Sequence, residues 1–170
     1  MNVIKNILWV CFGNSARSPL AHGLSLWLKD SKEYKEALKD VNFDSAGFVN
    51  VFKRAQDETL AYLREKGIDF SEFKGKIMDE ALLKKQDLIL VMETRHIKRL
   101  KRKFKQLPEV HQKARLLLEF AGESEQLEIE DPVNKTKEEY ATIANTIEEA
   151  VKKAIEKIIK MNKNILTTSE

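Results

Sequence analysis

A strand that is apolar at every position has to be covered on both faces, and this chain holds two such runs. One is Ile7-Leu8-Trp9-Val10; the other is Leu88-Ile89-Leu90-Val91-Met92, opened by Asp87. Neither alternates apolar with polar, as a half-solvated strand would. After the first run the apolar spacing changes to three and four, through Leu20, Leu24, Trp27 and Leu28, which is the signature of a helix with one buried stripe. Ser18-Pro19 is expected to open that helix, with Ser as N-cap and Pro at the first helical position. The alternation then repeats. Val41–Ala46 reads as a strand closed by Gly47, Asp57 to Lys66 as a helix stopped by Gly67, and Thr94 as the start of another helix. Ala114-Arg115-Leu116-Leu117-Leu118 is the fourth strand. A long helix from Lys137 to Lys160 carries Ile143, Ile147, Val151, Ala154, Ile155 and Ile158 on one stripe. The expected fold is therefore α/β. It is a single three-layer domain over residues 1–160, with a four-stranded parallel sheet flanked by helices and a flexible tail at 161–170.

Composition narrows the function classes. A chain of 170 residues can bury a core without disulfides or structural metals. Its 30 Lys+Arg against 27 Asp+Glu leave a net charge of +3, too balanced to argue for nucleic-acid binding by itself. Cys11 is the only cysteine, so there is no internal disulfide and no Cys cluster for zinc. His22, His96 and His111 lie far apart without ligand spacing, so neither a metal nor another cofactor is expected. No apolar run approaches the ~20 residues of a membrane span. The opening apolar stretch runs straight into a Gly-Asn loop without a small-residue cleavage site, so it does not read as a signal peptide. A lone thiol under these conditions fits the cytoplasm.

The segment Cys11-Phe12-Gly13-Asn14-Ser15-Ala16-Arg17-Ser18 sits where the first parallel strand hands over to its helix. Open α/β sheets place their ligands there. Successive backbone N–H groups, with the helix N-terminus behind them, make a cradle of phosphate size. Gly13 and Asn14 tolerate the left-handed backbone that a tight cradle needs. Arg17 can fork onto two phosphate oxygens, as Lys cannot. The same field, with the Ser18 hydroxyl, favours thiolate at Cys11. A thiolate in line with a bound phosphorus implies phosphoryl transfer to sulfur followed by hydrolysis. Any phenolate that leaves, with a conjugate-acid pKa of ~10, then needs a proton donor. The plain alternative is a buried cysteine at a strand end.

The string CFGNSARSP resembles the signature loop of the low-molecular-weight protein tyrosine phosphatases, C-x-G-N-x-C-R-S-P. Asp44-Ser45-Ala46-Gly47, Leu63–Asp69, Asp87–Glu93 and Ile129-Glu130-Asp131-Pro132 follow in family order, so the likeness runs from about residue 5 to 160. It implies a phosphate-binding loop after the first strand, with Cys11 as nucleophile and Arg17 as phosphate clamp. Ser18 would stabilise the leaving thiolate, Asn14 would hold the loop's shape, and Phe12, Gly13, Ser15 and Ala16 would complete the substrate-binding loop. Asp131 would be general acid and then general base. Read from the residues alone, Asp131 belongs to an acidic run from Glu123 that ordinarily forms a solvated loop, and only Pro132 marks it.

The chain also departs from the family. Ala16 replaces the loop's second cysteine, Val133 and Asn134 follow Asp-Pro where aromatics are common, and Phe73 stands where a histidine is frequent. Phe48 or Phe52 would have to supply the cleft's aromatic wall. Ser15, small and polar, fits both phosphotyrosine and phosphoarginine members, so protein-arginine phosphatase stays open beside protein tyrosine phosphatase. An arsenate reductase mechanism needs further cysteines that this chain lacks. A non-catalytic phosphate-binding module is the competing class. The basic stretch from Lys98 to Lys105 reads as a solvated helix face rather than a nucleic-acid site, and it could also recruit acidic protein substrates. The expected partner is a phosphorylated protein, met by a monomer or weak dimer with no membrane association.

Overall fold

A computed structural model describes residues 2–168. The elements run β1 Asn6–Cys11, α1 Arg17–Asp30, β2 Asn42–Gly47, α2 Asp57–Glu65, α3 Glu80–Lys84 and β3 Leu88–Val91. They continue as α4 Thr94–Lys103, α5 Pro108–Lys113, β4 Ala114–Leu116, α6 Leu117–Ala121 and α7 Lys137–Thr167. The four strands are all parallel, in the order β2-β1-β3-β4. This is the expected three-layer α/β architecture.

The period of two along the central strands divides the core. Ile7, Trp9, Leu88 and Leu90 face α1 and α7, joined by Leu20, Leu24, Ile147, Val151 and Ile155. Leu8, Val10, Ile89 and Val91 face the other way, onto Leu83, Leu100, Phe104 and Val110. Both central strands are therefore sealed on two sides, which is why their sequences contain no polar break. β1 connects to a neighbour on one side through β2 and on the other through β3. Its carboxyl end consequently opens onto the crevice where the direction of winding reverses.

Several boundaries differ from expectation. α1 starts at Arg17 with Ala16 at the cap position and no side-chain cap, because the Ser18 hydroxyl is engaged with Cys11 and Asn14. β4 stops at Leu116, and Leu117 and Leu118 turn into α6, which covers the α7 side of the sheet. The short helices α3, α5 and α6 carry too few turns to show a period. The expected tail at 161–170 is helical through Thr167, with residues 169 and 170 outside the described residues. Met161 packs on the core, and Asn162 exchanges two 2.8 Å hydrogen bonds with the Ile4 backbone. Among the described residues no helix is long and apolar enough to cross a membrane.

Candidate active site

Cys11 is the last residue of β1, paired with Gly47 at the end of β2 and 3% exposed. Its Sγ lies 3.0 Å from Ser18 Oγ, which in turn accepts a 2.9 Å hydrogen bond from Asn14 Nδ2. Asn14 Oδ1 accepts from the Lys76 N–H at 2.9 Å, so one buried amide fixes both the loop and the serine. Asn14 takes the left-handed conformation at φ 49°, whereas Gly13 does not need it. The asparagine's ties to Ser18 Oγ and to the Lys76 N–H hold that backbone, and the glycine's freedom is not used.

The loop's carbonyls at Phe12, Ser15 and Ala16 are held from outside the loop. Phe12 O accepts from the N–H groups of Phe48 and Val49 at 2.8 and 3.2 Å, and Ser15 O from that of Gln56 at 2.7 Å. Ala16 O accepts from Leu20 N–H at 3.1 Å and from Thr59 Oγ1 at 3.3 Å. The N–H groups of residues 13–16 take no protein acceptor among the described residues. Peptide planes with their oxygens held by an outer shell direct their amides the other way, which is how a loop becomes an anion cradle.

Arg17 is buried at the start of α1. Its Nη1 donates to Glu93 Oε1 and to Ile129 O (2.8 Å for the latter), and its Nη2 donates to Asp131 Oδ2 at 2.8 Å. Asp131 Oδ1 accepts from Val133 N–H at 3.1 Å, and its side chain keeps 31% exposure. The segment carrying it is pinned by Ile129 N–H on Met92 O at 2.9 Å. At its far end Thr136 and Glu139 form a reciprocal capping box at the start of α7. Arg17, at the end of the loop that Cys11 opens, thus meets Asp131 from 114 positions away.

This geometry has known counterparts. Residues 6–164 match the model of the family described as low molecular weight phosphotyrosine protein phosphatase. The low molecular weight protein-tyrosine-phosphatase Wzb of Escherichia coli (strain K12) is 30% identical over 151 residues, 88% of this chain and 92% of that protein. The chain belongs to the low molecular weight phosphotyrosine protein phosphatase family. Among solved structures, the low molecular weight protein tyrosine phosphatase from T. tengcongensis aligns with TM-score 0.76 and 32% identity over 90% of this chain and 99% of that one. The YwlE arginine phosphatase from Geobacillus stearothermophilus aligns with TM-score 0.78 and 26% identity over 96% of each.

Within this phosphatase-family framework, Glu93 is the residue the sequence did not single out. It stands directly after β3 and ties Arg17 to Arg95, whose Nε lies 2.6 Å from Glu93 Oε2. Burial by itself would raise the Glu93 carboxyl, but hydrogen bonds from Arg95 and Arg17 outweigh it and hold the group below its ordinary value. The available signal was an acid placed immediately after a fully buried strand. Ser45, at the other flank, is 3.2 Å from His22 Nδ1, and that ring sits edge-on to Phe70 and Phe73. A histidine from α1 thus packs against Phe73, the position where the family often has its own. Desolvation lowers His22 to about 4, so it is neutral at physiological pH. Phe48 is buried in the core, while Phe52 is 60% exposed and lines a hollow of about 380 Å³ with Pro132, Val133 and Asn134. Of the two aromatic candidates, only Phe52 is placed to wall the mouth. Among the described residues there is no cluster of three or more His, Cys, Asp or Glu that could hold a metal ion.

Proposed function

We propose that this protein is a protein tyrosine phosphatase that works through a cysteinyl-phosphate intermediate. One observation carries the reading: the loop that Cys11 opens has Ser18 Oγ at its sulfur and unpaired amides at residues 13–16, and it ends in Arg17, whose guanidinium holds the Asp131 carboxyl. The phosphoryl group of the substrate sits in the cradle of amides from Phe12 to Ser18. Arg17 draws charge from its oxygens, and the Cys11 thiolate attacks phosphorus from the loop side. The P–O bond of the ester breaks while Asp131 gives its proton to the departing oxygen. Water then attacks the phosphocysteine, Asp131 takes a proton from it, and the sulfur leaves as thiolate steadied by Ser18 Oγ. No cofactor takes part.

The TM-score of 0.78 to an arginine phosphatase supports a second substrate, phosphoarginine, on the same chemistry. The working form we expect is a cytoplasmic monomer or weak dimer built from a single domain. The test is steady-state hydrolysis of p-nitrophenyl phosphate at about pH 5.5–6.5 with chelator, a range that keeps a thiolate and a protonated acid together. Activity that survives chelator and disappears in Cys11→Ser is the expected result. An inactive wild type would overturn the reading in favour of a phosphate-binding module. Phosphotyrosine and phosphoarginine peptides compared on the active enzyme rank the two substrates.

A further inference from the structure

Arg95, Lys98, Arg99 and Arg102 follow the helical spacing of one face of α4, and with Phe12 and His96 they line a cavity of about 290 Å³. Like charges three and four residues apart repel, so a bare helix gains nothing from this arrangement. Arg95 is paired with Glu93, but Lys98, Arg99 and Arg102 have no carboxylate partner among the described residues. Arg99 is nonetheless held in place, its guanidinium 5.0 Å from the ring centre of Phe12 and 5.5 Å from that of Phe48. His96, at the floor, is 1% exposed, and neither ring nitrogen has a hydrogen-bond partner. Glu93 Oε1 lies 3.7 Å from Nε2, beyond hydrogen-bond reach. Both nitrogens are sealed from the cavity, so an anion there is met by the three unpaired cations rather than by the imidazole.

The cavity adjoins the catalytic loop. Phe12 follows the nucleophile directly, and Arg95 Nη2 stands 3.9 Å from Asp131 Oδ2. We propose that this cleft is a substrate subsite for a second anionic group, a carboxylate or phosphate, carried by the same peptide as the scissile phosphate. An extended peptide advances ~3.3–3.6 Å per residue, so the anion belongs within a few positions of the phosphorylated residue. The cavity's modest volume and its place beside the mouth favour one peptide side chain over a nucleic-acid track. One face of the Phe12 ring already carries Arg99, so a base would have to compete with the guanidinium for it. The inference rests on the phosphatase reading and names the substrates it prefers.

The experiment compares phosphotyrosine peptides that differ only in flanking residues: alanine, glutamate or phosphoserine. Two readouts are taken, kcat/KM on the wild type and Kd by fluorescence anisotropy on Cys11→Ser. The expected result is about a tenfold advantage for the anionic flanks, shrinking as salt rises, with the ratio falling to near unity in Lys98→Gln/Arg102→Gln. Both positions are exposed, so the double variant keeps its fold. A ratio within twofold in both readouts overturns the subsite even in an active phosphatase. If the wild type fails on p-nitrophenyl phosphate, the phosphatase reading falls alone, and the Kd ratio still decides the subsite. A short single-stranded oligonucleotide that binds tightly while the flanks make no difference would assign the cleft to nucleic acid and overturn the proposal.

Discussion

Gly47 is the residue on which the shape of the phosphate loop most directly leans. A Cβ there would stand 2.8 Å from Asn14 N, 2.8 Å from Phe12 O and 3.0 Å from Gly13 C. Ordinary carbon contacts begin near ~3.5 Å, so Gly47→Ala requires the loop or β2 to yield by about 0.7 Å. Neither does so freely, because Phe12 O is held by two N–H groups and Asn14 by Lys76 and Ser18. Overpacking of this kind costs about 1–3 kcal/mol. A reacting group misplaced by ~1 Å costs on the order of a hundredfold in rate, so a shift of this size should lower kcat by tens of fold. Urea unfolding should show a loss of about 2 kcal/mol, and p-nitrophenyl phosphate kinetics should show the fall in kcat, together with weaker inhibition by inorganic phosphate. Gly67→Ala is the control. Its φ of 77° makes the substitution strained, but no atom lies within 4 Å of the added carbon. It should lose about 1 kcal/mol of stability and leave kcat unchanged. A Gly47→Ala enzyme within twofold of wild type in kcat and phosphate inhibition would refute the idea that β2 sets the loop's position.

Three further outcomes are expected. Glu93→Gln removes the countercharge of the buried Arg17 while Asp131 and Ile129 O remain, so a destabilisation of about 2–3 kcal/mol should appear in urea melts; an unmoved midpoint would count against the pairing. Desolvation and the nearby Arg17 depress His96 to about 4 from 6.5, against the opposing pull of Glu93 and Asp131. The unfolded chain therefore binds more protons between those values, and stability falls as pH drops from 6.5 towards 4, by at most about 3 kcal/mol from this residue. Urea midpoints that stay level from pH 7 to 4.5 would contradict this, and His96→Gln should reduce the slope, leaving the share that His22 contributes in the same window. With Ala16 in the Cys11 loop where a second cysteine could stand and no other cysteine in the chain, strong peroxide should inactivate the enzyme beyond recovery by dithiothreitol, and Ala16→Cys should raise the recovered fraction.

How much of this was legible depended on whether a residue's role was local. The two all-apolar strands announced themselves because burial on both faces leaves a continuous hydrophobic run. The loop from Cys11 to Ser18 was readable because strand, turn and helix start lie in one stretch. In sequence Ser18 reads as a helix cap, since a serine before a proline fits a cap equally well and only the fold puts a sulfur 3.0 Å from its hydroxyl. Glu93 was named only as the end of a family string. Its tie to Arg17 spans 76 positions, and nothing near it in sequence records a partner so distant. The sequence suggests too early an end for α7 because polar residues dominate after Lys160, and the anchor at Asn162 reaches back to Ile4. Gly47 looked like a strand stop, whereas its role is to let another segment come close.

The Ile4–Asn162 clasp has a practical consequence. It sits at the amino edge of the sheet, while Cys11 closes the carboxyl edge, some ~20 Å away along β1. Anything joined ahead of Ile4 or after α7 leaves from the side opposite the reaction mouth. An affinity handle, a fluorescent reporter or a tether to a sensor surface can therefore be attached at either end without shading incoming phosphopeptide. The closeness of Ile4 and Asn162 also allows the chain to be bridged near those two residues and reopened at an exposed surface turn, giving a permuted enzyme with its catalytic face untouched.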